Sequence, residues 1–551
     1  MNTNIFPSFS TSTSSSSSPS SSEQHASEPP TSFVSPSNPA FLSSGSSAQP
    51  DVSSPPQAAP GNDRQHFTWK IAFWAMIFLF LALRAFLAVT LKLTPDEAYY
   101  WEFARRPALS YFDHPPMVGY LIAAFRAVFG DTELAVRLPS LLSVPVLSWV
   151  LFNFGTLLAG PRAGFFTALL FNLTPSATAV GFITTPDTPL ALCWVLASAA
   201  FIHILRTSSF GGWVALGIAV GCGAMSKYNM VFFVPGIFLT LLVFPRLRSA
   251  FTGRGFWVAV LLGALGALPV ILWNAQHDWI SFRFQLSHGM RDAGRPFLQN
   301  IGEFLGGQLA TVGPLFWPLL FWFGIRGFID GWRRGDEARF AMAAIGLPMM
   351  LFFAFNGCRS KVEANWPQMA YLTVMPFVGE WAAAGIGLRR LFWIGGTSGL
   401  IAALLVMQAA TVVIPIDPRN DVSVRLHGWD RLGAAVRELD EKMGRSALFI
   451  GQGGPLTALI GFYGGIDPDR LMEIHASNNW RIWGADRRLA TGALAVYVDD
   501  GLYVSEVPAV ATHFSASDTP ILVPVTVNGR MLRSFRLTVL RDHKGTLLFK
   551  R

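Results

Sequence analysis

LTPDEAYYWEFARRPALSYFDHPPMVGY, residues 93–120, follows directly on a hydrophobic run long enough to cross a bilayer. It holds adjacent carboxylates, Asp96 and Glu97, and a second acid beside a histidine, Asp113 and His114. Two arginines, Arg105 and Arg106, and several aromatics lie between them. Ionisable groups are costly in lipid and gather where a membrane protein binds or reacts. A single charge at the end of a span is equally read as a loop or snorkelling residue. What the stretch means therefore depends on its surroundings.

Those surroundings are membrane. Of 551 residues, 51% are hydrophobic and only 14% charged, against roughly 25% charged in soluble domains. Mean hydropathy is +0.39. The 46 Phe and 18 Trp suit lipid-facing helices with interfacial belts. A net charge of +8 raises the possibility of nucleic acid. That reading needs a basic cluster with exposed aromatics, whereas the arginines here lie between hydrophobic runs. Three cysteines, Cys193, Cys222 and Cys358, cannot form a disulfide framework and read as small buried hydrophobes.

Residues 1–66 are rich in Ser, Pro, Thr, Ala and Gln and are expected to be disordered. They lack the basic start and apolar core of a signal peptide, so the first apolar run is expected to be an uncleaved anchor. From Trp69 onward, apolar runs approach the ~20 residues a membrane helix needs. They fall at 69–91, 138–158, 163–183, 188–206, 212–226, 229–245, 256–273, 302–325, 340–356, 367–386 and 392–414, which predicts about eleven spans. The segment 117–130 is too short to span and carries Arg126, so it is expected to lie in the interface or to re-enter.

Arginine decides orientation. One alternating set of short connections carries Arg64, Lys70, Arg162, Arg206, Arg246, Arg248, Arg254, Arg326, Arg333, Arg334, Arg389 and Arg390, and is expected to be cytoplasmic. The other set holds 92–137, the TTPDTP loop, the turn at Lys227, and the loops 274–300 and 357–366, and should face outward. The N-terminus is then inside, and residues 415–551 are outside, periplasmic in a Gram-negative host. That tail carries a helical pattern at 428–443, short apolar runs at 447–451 and 493–498, and a hairpin signal around Asn528-Gly529. A polytopic helical protein of residues 67–414 with a small soluble α/β domain, 415–551, is the expected architecture.

The outward segments hold a consistent polar set: Asp96, Glu97, Asp113, His114, Asp187, Lys227, Arg359, Lys361, Glu363 and Asn365. Several loops bringing acids and cations to one membrane depth suits a lipid-anchored phosphate substrate. The order LTPDEAYYW, YFDHPPMVGYLIAAFRAVFGDTELAVRLPSLL, TTPDTPL, AMSKYN and, more loosely, KVEANWP resembles the glycosyltransferase 39 superfamily. This GT-C group includes protein O-mannosyltransferases and bacterial lipid A aminoarabinose transferases.

The resemblance implies an inverting glycosyltransferase. It would move a sugar from a polyprenyl-phosphate donor to lipid A or lipopolysaccharide, another envelope lipid, or a protein, on the outer face of the inner membrane. By position the family's key aspartate is Asp96, a carboxylate that takes the acceptor's proton or steers its attack, with Glu97 beside it. Lys227 and Arg359 or Lys361 are assigned to the donor phosphate. His114 stands where relatives of the lipid A type carry lysine in Glu-Lys-Pro-Pro. It donates to phosphate or, with Asp113, binds a divalent metal ion. Asp187 is read as an aid to such an ion or to Asp96, with a helix N-cap as the alternative. Tyr99 replaces an arginine found three residues after the key aspartate and is placed with the substrate contacts. Together with Tyr100 and Trp101 it is otherwise read as an interfacial belt, with a sugar-stacking platform as the alternative. Arg84, inside the first span, faces the bundle toward a carboxylate or marks a misplaced boundary. A lipid transporter would need acids at the midplane of broken helices. A glycan ligase shares the outer-face geometry and would need a larger cavity.

Overall fold

The computed structural model describes residues 60–290, 295–385, 388–473, 479–484, 489–502 and 505–546. Most of the stretch expected to be disordered lies outside these residues, but the first helix begins at Pro60, inside it. The chain opens with helices α1 (Pro60–Thr90), α2 (Pro95–Arg105), α3 (Met117–Phe129), α4 (Glu133–Leu173) and α5 (Pro175–Val180). Next come α6 (Asp187–Thr207), α7 (Phe210–Ala224), α8 (Phe233–Val243), α9 (Arg254–Gln276) and α10 (Ile280–Met290). The bundle closes with α11 (Phe297–Thr311), α12 (Phe316–Arg334), α13 (Glu337–Gly357), α14 (Gln368–Ala383) and α15 (Leu388–Thr411).

Six helices are long and apolar enough to cross a membrane, and eight spans result if each of two bent pairs counts once. The protein is thus a multi-pass membrane protein, and the expected count of eleven is not reached by this measure. The shortfall has local causes. The expected span 302–325 breaks into α11 and α12, which meet at 96°. α7 and α14 have only 15 and 16 residues. The expected spans 138–158 and 163–183 meet within α4, interrupted at Ala159-Gly160, where Gly160 adopts φ +82° and Pro161 restarts the helix. α7 and α9 approach so closely that a Cβ on Gly266 would strike the backbone of Gly221, the small-residue packing favoured in membranes. Arg84 is buried and donates to Asn172 Oδ1 of α4 at 2.7 Å, so it faces the bundle but meets an amide, not a carboxylate.

The C-terminal part has the expected α/β character. It contains α16 (Trp429–Lys442), β1 (Leu448–Gly451), α17 (Gly454–Gly464), β2 (Leu471–Glu473), α18 (Asn479–Ile482), β3 (Ala495–Asp499), α19 (Val507–Ala511), β4 (Phe514–Ser517), β5 (Ile521–Val527) and β6 (Arg530–His543). β2, β1 and β3 run parallel, and β6 lies antiparallel to β3, β4 and β5. The hairpin turn is Asn528-Gly529, both at positive φ (49° and 77°), as a two-residue turn matched to strand twist requires.

One hydrophobic core joins this domain to the opening stretch. Leu93, Tyr99, Trp101, Phe103 and Tyr111 pack with Trp429, Leu459, Tyr463 and Trp480. Tyr463 Oη accepts from the Leu93 amide at 2.8 Å, and Arg105 donates to the Ile466 carbonyl at 3.0 Å. Arg106 lies 4.4 Å over the Trp483 ring. Tyr99, Tyr100 and Trp101 are therefore buried core, not an interfacial belt. The tail clamps the stretch and fixes where Asp96 points.

Candidate functional site

Asp96 and Glu97 part company at the start of α2. Consecutive helical residues do not face the same way. Thr94 and Glu97 form a reciprocal capping box, and Glu97, fully buried, also binds Arg137 through Nε (2.9 Å) and Nη2 (3.0 Å). Arg137 in turn donates to the Ala88 and Leu91 carbonyls at the end of α1. Glu97 thus locks α2 onto α1 and α4, and, contrary to its expected catalytic place, it does not line the cavity. Asp96, one residue earlier, is half-exposed and faces open space.

That space is a cavity of about 740 Å³, within the roughly 300–1,000 Å³ usual for small-molecule sites. It is lined by Asp96 and Tyr100 of α2, Asp113 and His114, Asp187 at the start of α6, and Lys227 and Tyr228. Gln285 of α10, Phe352 and Phe353 of α13, Glu363, Asn365, and Arg425 complete it. All five segments expected to face outward contribute.

The charges are arranged in pairs. Asp187 accepts from Lys227 Nζ at 2.8 and 3.0 Å and from Asn365 Nδ2 at 2.8 Å. It is the first residue of α6 and makes no side-chain cap, so the N-cap alternative falls away. Asp96 accepts from Arg425 Nη2 at 2.7 Å. Asp113 Oδ1 accepts from Asn479 Nδ2 at 3.1 Å, and the same amide donates to Tyr99 Oη at 2.7 Å. Tyr99 therefore positions Asp113 from behind and does not line the cavity. The His114 ring meets Tyr100 edge-on, 5.7 Å between centroids. Arg359 and Lys361 stand outside the cavity lining: Arg359 lies over the Phe355 ring, and Lys361 pairs with Glu363 at 2.7 Å, both partners exposed. Their loop delivers Glu363 and Asn365 in their place.

Among the described residues, no three His, Cys, Asp or Glu side chains converge to hold a metal ion. Asp187, the expected third ligand beside Asp113 and His114, has both oxygens on Lys227. No step below is routed through a metal ion.

Burial pushes the Tyr100 hydroxyl well above its ordinary range, and the carboxylates of Asp113, Asp96 and Asp187 push it further. It is held as a proton donor among three acids. Desolvation likewise pushes the Asp113 carboxyl up to about 6. A carboxyl raised in the folded state favours folding below its ordinary pKa and loses that contribution as pH rises through about 6. Asp113→Asn should therefore raise the melting temperature relative to the native chain at pH 8 and bring little change at pH 4; an equal shift at both would contradict the buried-acid account. Lys227→Ala leaves Asp187 buried without its cation, and we expect donor KM to rise by about tenfold or more. An unchanged donor KM would contradict the phosphate contact expected of Lys227.

Arg425 was not legible as a site residue in sequence. Arg425 lies 329 positions from Asp96, just past the last apolar run, where nothing marks an arginine as reaching back.

A family model described as dolichyl-phosphate-mannose-protein mannosyltransferase matches residues 113–273. The lipid A galacturonosyltransferase of Rhizobium johnstonii is 27% identical over 328 residues, covering 58% of this chain and 67% of its own. An undecaprenyl phosphate-alpha-4-amino-4-deoxy-L-arabinose arabinosyl transferase of Pseudomonas fluorescens is 28% identical over 379 residues, covering 61% and 65%. The chain thus aligns with about two thirds of the length of these relatives. ArnT from Cupriavidus metallidurans in the apo state superposes with a TM-score of 0.57 at 17% identity, over 86% of this chain and 98% of that one. The same protein bound to undecaprenyl phosphate gives 0.55. The chain is thus similar in sequence to these polyprenyl-phosphate-dependent and lipid A glycosyltransferases and shares the fold of ArnT.

Proposed function

We propose that the protein transfers a sugar from a polyprenyl-phosphate donor to lipid A at the outer face of the inner membrane, with inversion at the sugar carbon. The carrying observation is the single cavity in which Asp96, Lys227 and Arg425 meet, at the end of membrane-spanning helices. The relatives act on lipid A or on an undecaprenyl-phosphate sugar by name, and ArnT binds undecaprenyl phosphate.

The chemistry follows from the pairs. Lys227 and Arg425 hold the donor phosphate by charge-assisted hydrogen bonds, as oxyanions prefer. Asp96 takes the proton of an acceptor hydroxyl, or steers an acceptor phosphate, as its oxygen bonds to the sugar carbon. The bond from that carbon to the lipid phosphate breaks, and the phosphate departs with the electron pair, needing no general acid. Tyr100 donates toward this site, while Asp187 and Asn365 hold Lys227 in register.

The test is reconstitution of the full chain in liposomes with lipid A and undecaprenyl-phosphate-linked sugars, reading release of undecaprenyl phosphate. Release that depends on lipid A supports the reading; release that is indifferent to lipid A contradicts it. The orientation is checked separately. Leu109, exposed in the opening stretch, replaced by cysteine in a chain cleared of its three natural cysteines, should react with an impermeant thiol reagent from the periplasmic side. Labelling only from the cytoplasm would invert the topology.

A further inference from the structure

Arg425 belongs to three cavities at once. One is the acid-lined cavity described above. The second, of about 420 Å³, lies between the start of α2, the segment 418–429, α17 and β6, and is lined by Arg419, Arg425, Trp429, Asp500 and Arg533 among others. The third, of about 270 Å³, is an apolar groove between the end of α1, α5 and α15, lined by Leu91, Phe182, Leu405 and Val406, with Asp96 and Arg425 at its polar end.

The second cavity has the character of an anion site. Its acids are already engaged. Asp421 accepts from the Ser423 amide (3.0 Å), Ser423 Oγ (2.6 Å) and Gln408 Nε2 (2.8 Å). Asp500 accepts from the Leu502 amide at 3.0 Å and lies 3.9 Å from Arg533. Arg533 is buried and lies 4.6 Å over the Trp429 ring, which fixes its guanidinium in the wall. Arg419 is exposed and makes no ion pair among the described residues. In the segment that follows α15, Val413 is 63% and Val422 67% exposed, with Asp417, Arg419, Asn420 and Asp421 between them. A cationic recess with exposed Val422 at its rim, continued by an apolar groove, matches a phosphorylated amphiphile. The two cavities share Val422 and Arg425, so one molecule can occupy both and reach Asp96.

We propose that this second cavity receives the phosphate-bearing headgroup of the acceptor lipid, with acyl chain in the adjoining groove. Arg425 then stands between acceptor headgroup and donor phosphate. The inference rests on the transfer reading above, and its test separates the two.

Radiolabelled lipid A is bound to the full-length protein in detergent, with dephosphorylated lipid A and inorganic phosphate as competitors, for the native chain, Arg419→Glu and Arg419→Lys. Arg419 is exposed, so both variants should fold. The expected result is a loss of about tenfold in lipid A affinity for Arg419→Glu, largely restored in Arg419→Lys. Donor KM should stay unchanged, and dephosphorylated lipid A should compete poorly. Equal lipid A affinity in native and Arg419→Glu chains would overturn the proposal, as would a matching rise in donor KM. Effective competition by dephosphorylated lipid A or by inorganic phosphate alone would also overturn it. Arg419-dependent binding without sugar transfer would sink the transfer reading and leave this site standing.

Discussion

Asp96→Asn is expected to cut sugar transfer by about 10²–10⁴-fold, the range of a positioned proton-transfer group, while the protein still folds and inserts. The expectation is sharp because the two roles separate at this residue. Asp96 and Arg425 are each about half exposed, 47% and 51% at the side chain, and such a pair contributes about 1 kcal/mol or less to stability. Loss of the carboxylate should therefore appear in turnover and hardly in melting. Donor and acceptor affinities should shift little beside the loss in kcat. Near-native turnover in a folded Asp96→Asn protein would remove Asp96 from the chemistry.

The neighbouring residue should behave in the opposite way. Arg137→Met strips the cation from Glu97, whose carboxylate is fully buried, and breaking one side of a buried pair costs about 3–5 kcal/mol. It also leaves the Ala88, Leu91 and Lys92 carbonyls without their donor. We expect a large fall in melting temperature in detergent and poor accumulation in the membrane. The double variant Glu97→Gln, Arg137→Met should recover part of the loss, since no bare buried charge remains. Native-like melting of Arg137→Met would show that the pair does not hold α2 in place.

These two outcomes also show what the sequence could and could not carry. The Asp-Glu pair was visible as chemistry, but its division into a cavity-facing acid and a buried lock depends on Arg137, which reads in sequence as one more basic residue at a span start. That the five loops expected to face outward share one side was legible because arginine bias sorts connections into two sets, and all five line the cavity. The α/β tail was legible in outline from the 428–443 pattern and the Asn528-Gly529 turn. Its burial of Tyr99, Trp101 and Phe103 was not, because aromatic residues after a membrane helix serve equally as an interfacial belt. Arg359 and Lys361 drew attention by charge alone, whereas Asn365, with no charge, is the residue of that loop that reaches Asp187. The expected eleven spans are not confirmed where backbone breaks, as between α11 and α12, leave hydropathy continuous across a sharp bend.

The most direct test of the central claim, that this cavity adds a sugar to lipid A, is mass spectrometry of lipid A from cells with and without the gene, complemented by the native chain or by Asp96→Asn. The account predicts a lipid A species larger by one sugar that disappears on deletion, returns with the native chain and stays absent with Asp96→Asn. Identical lipid A spectra in all four strains, under conditions where the protein is present in the membrane, would contradict it.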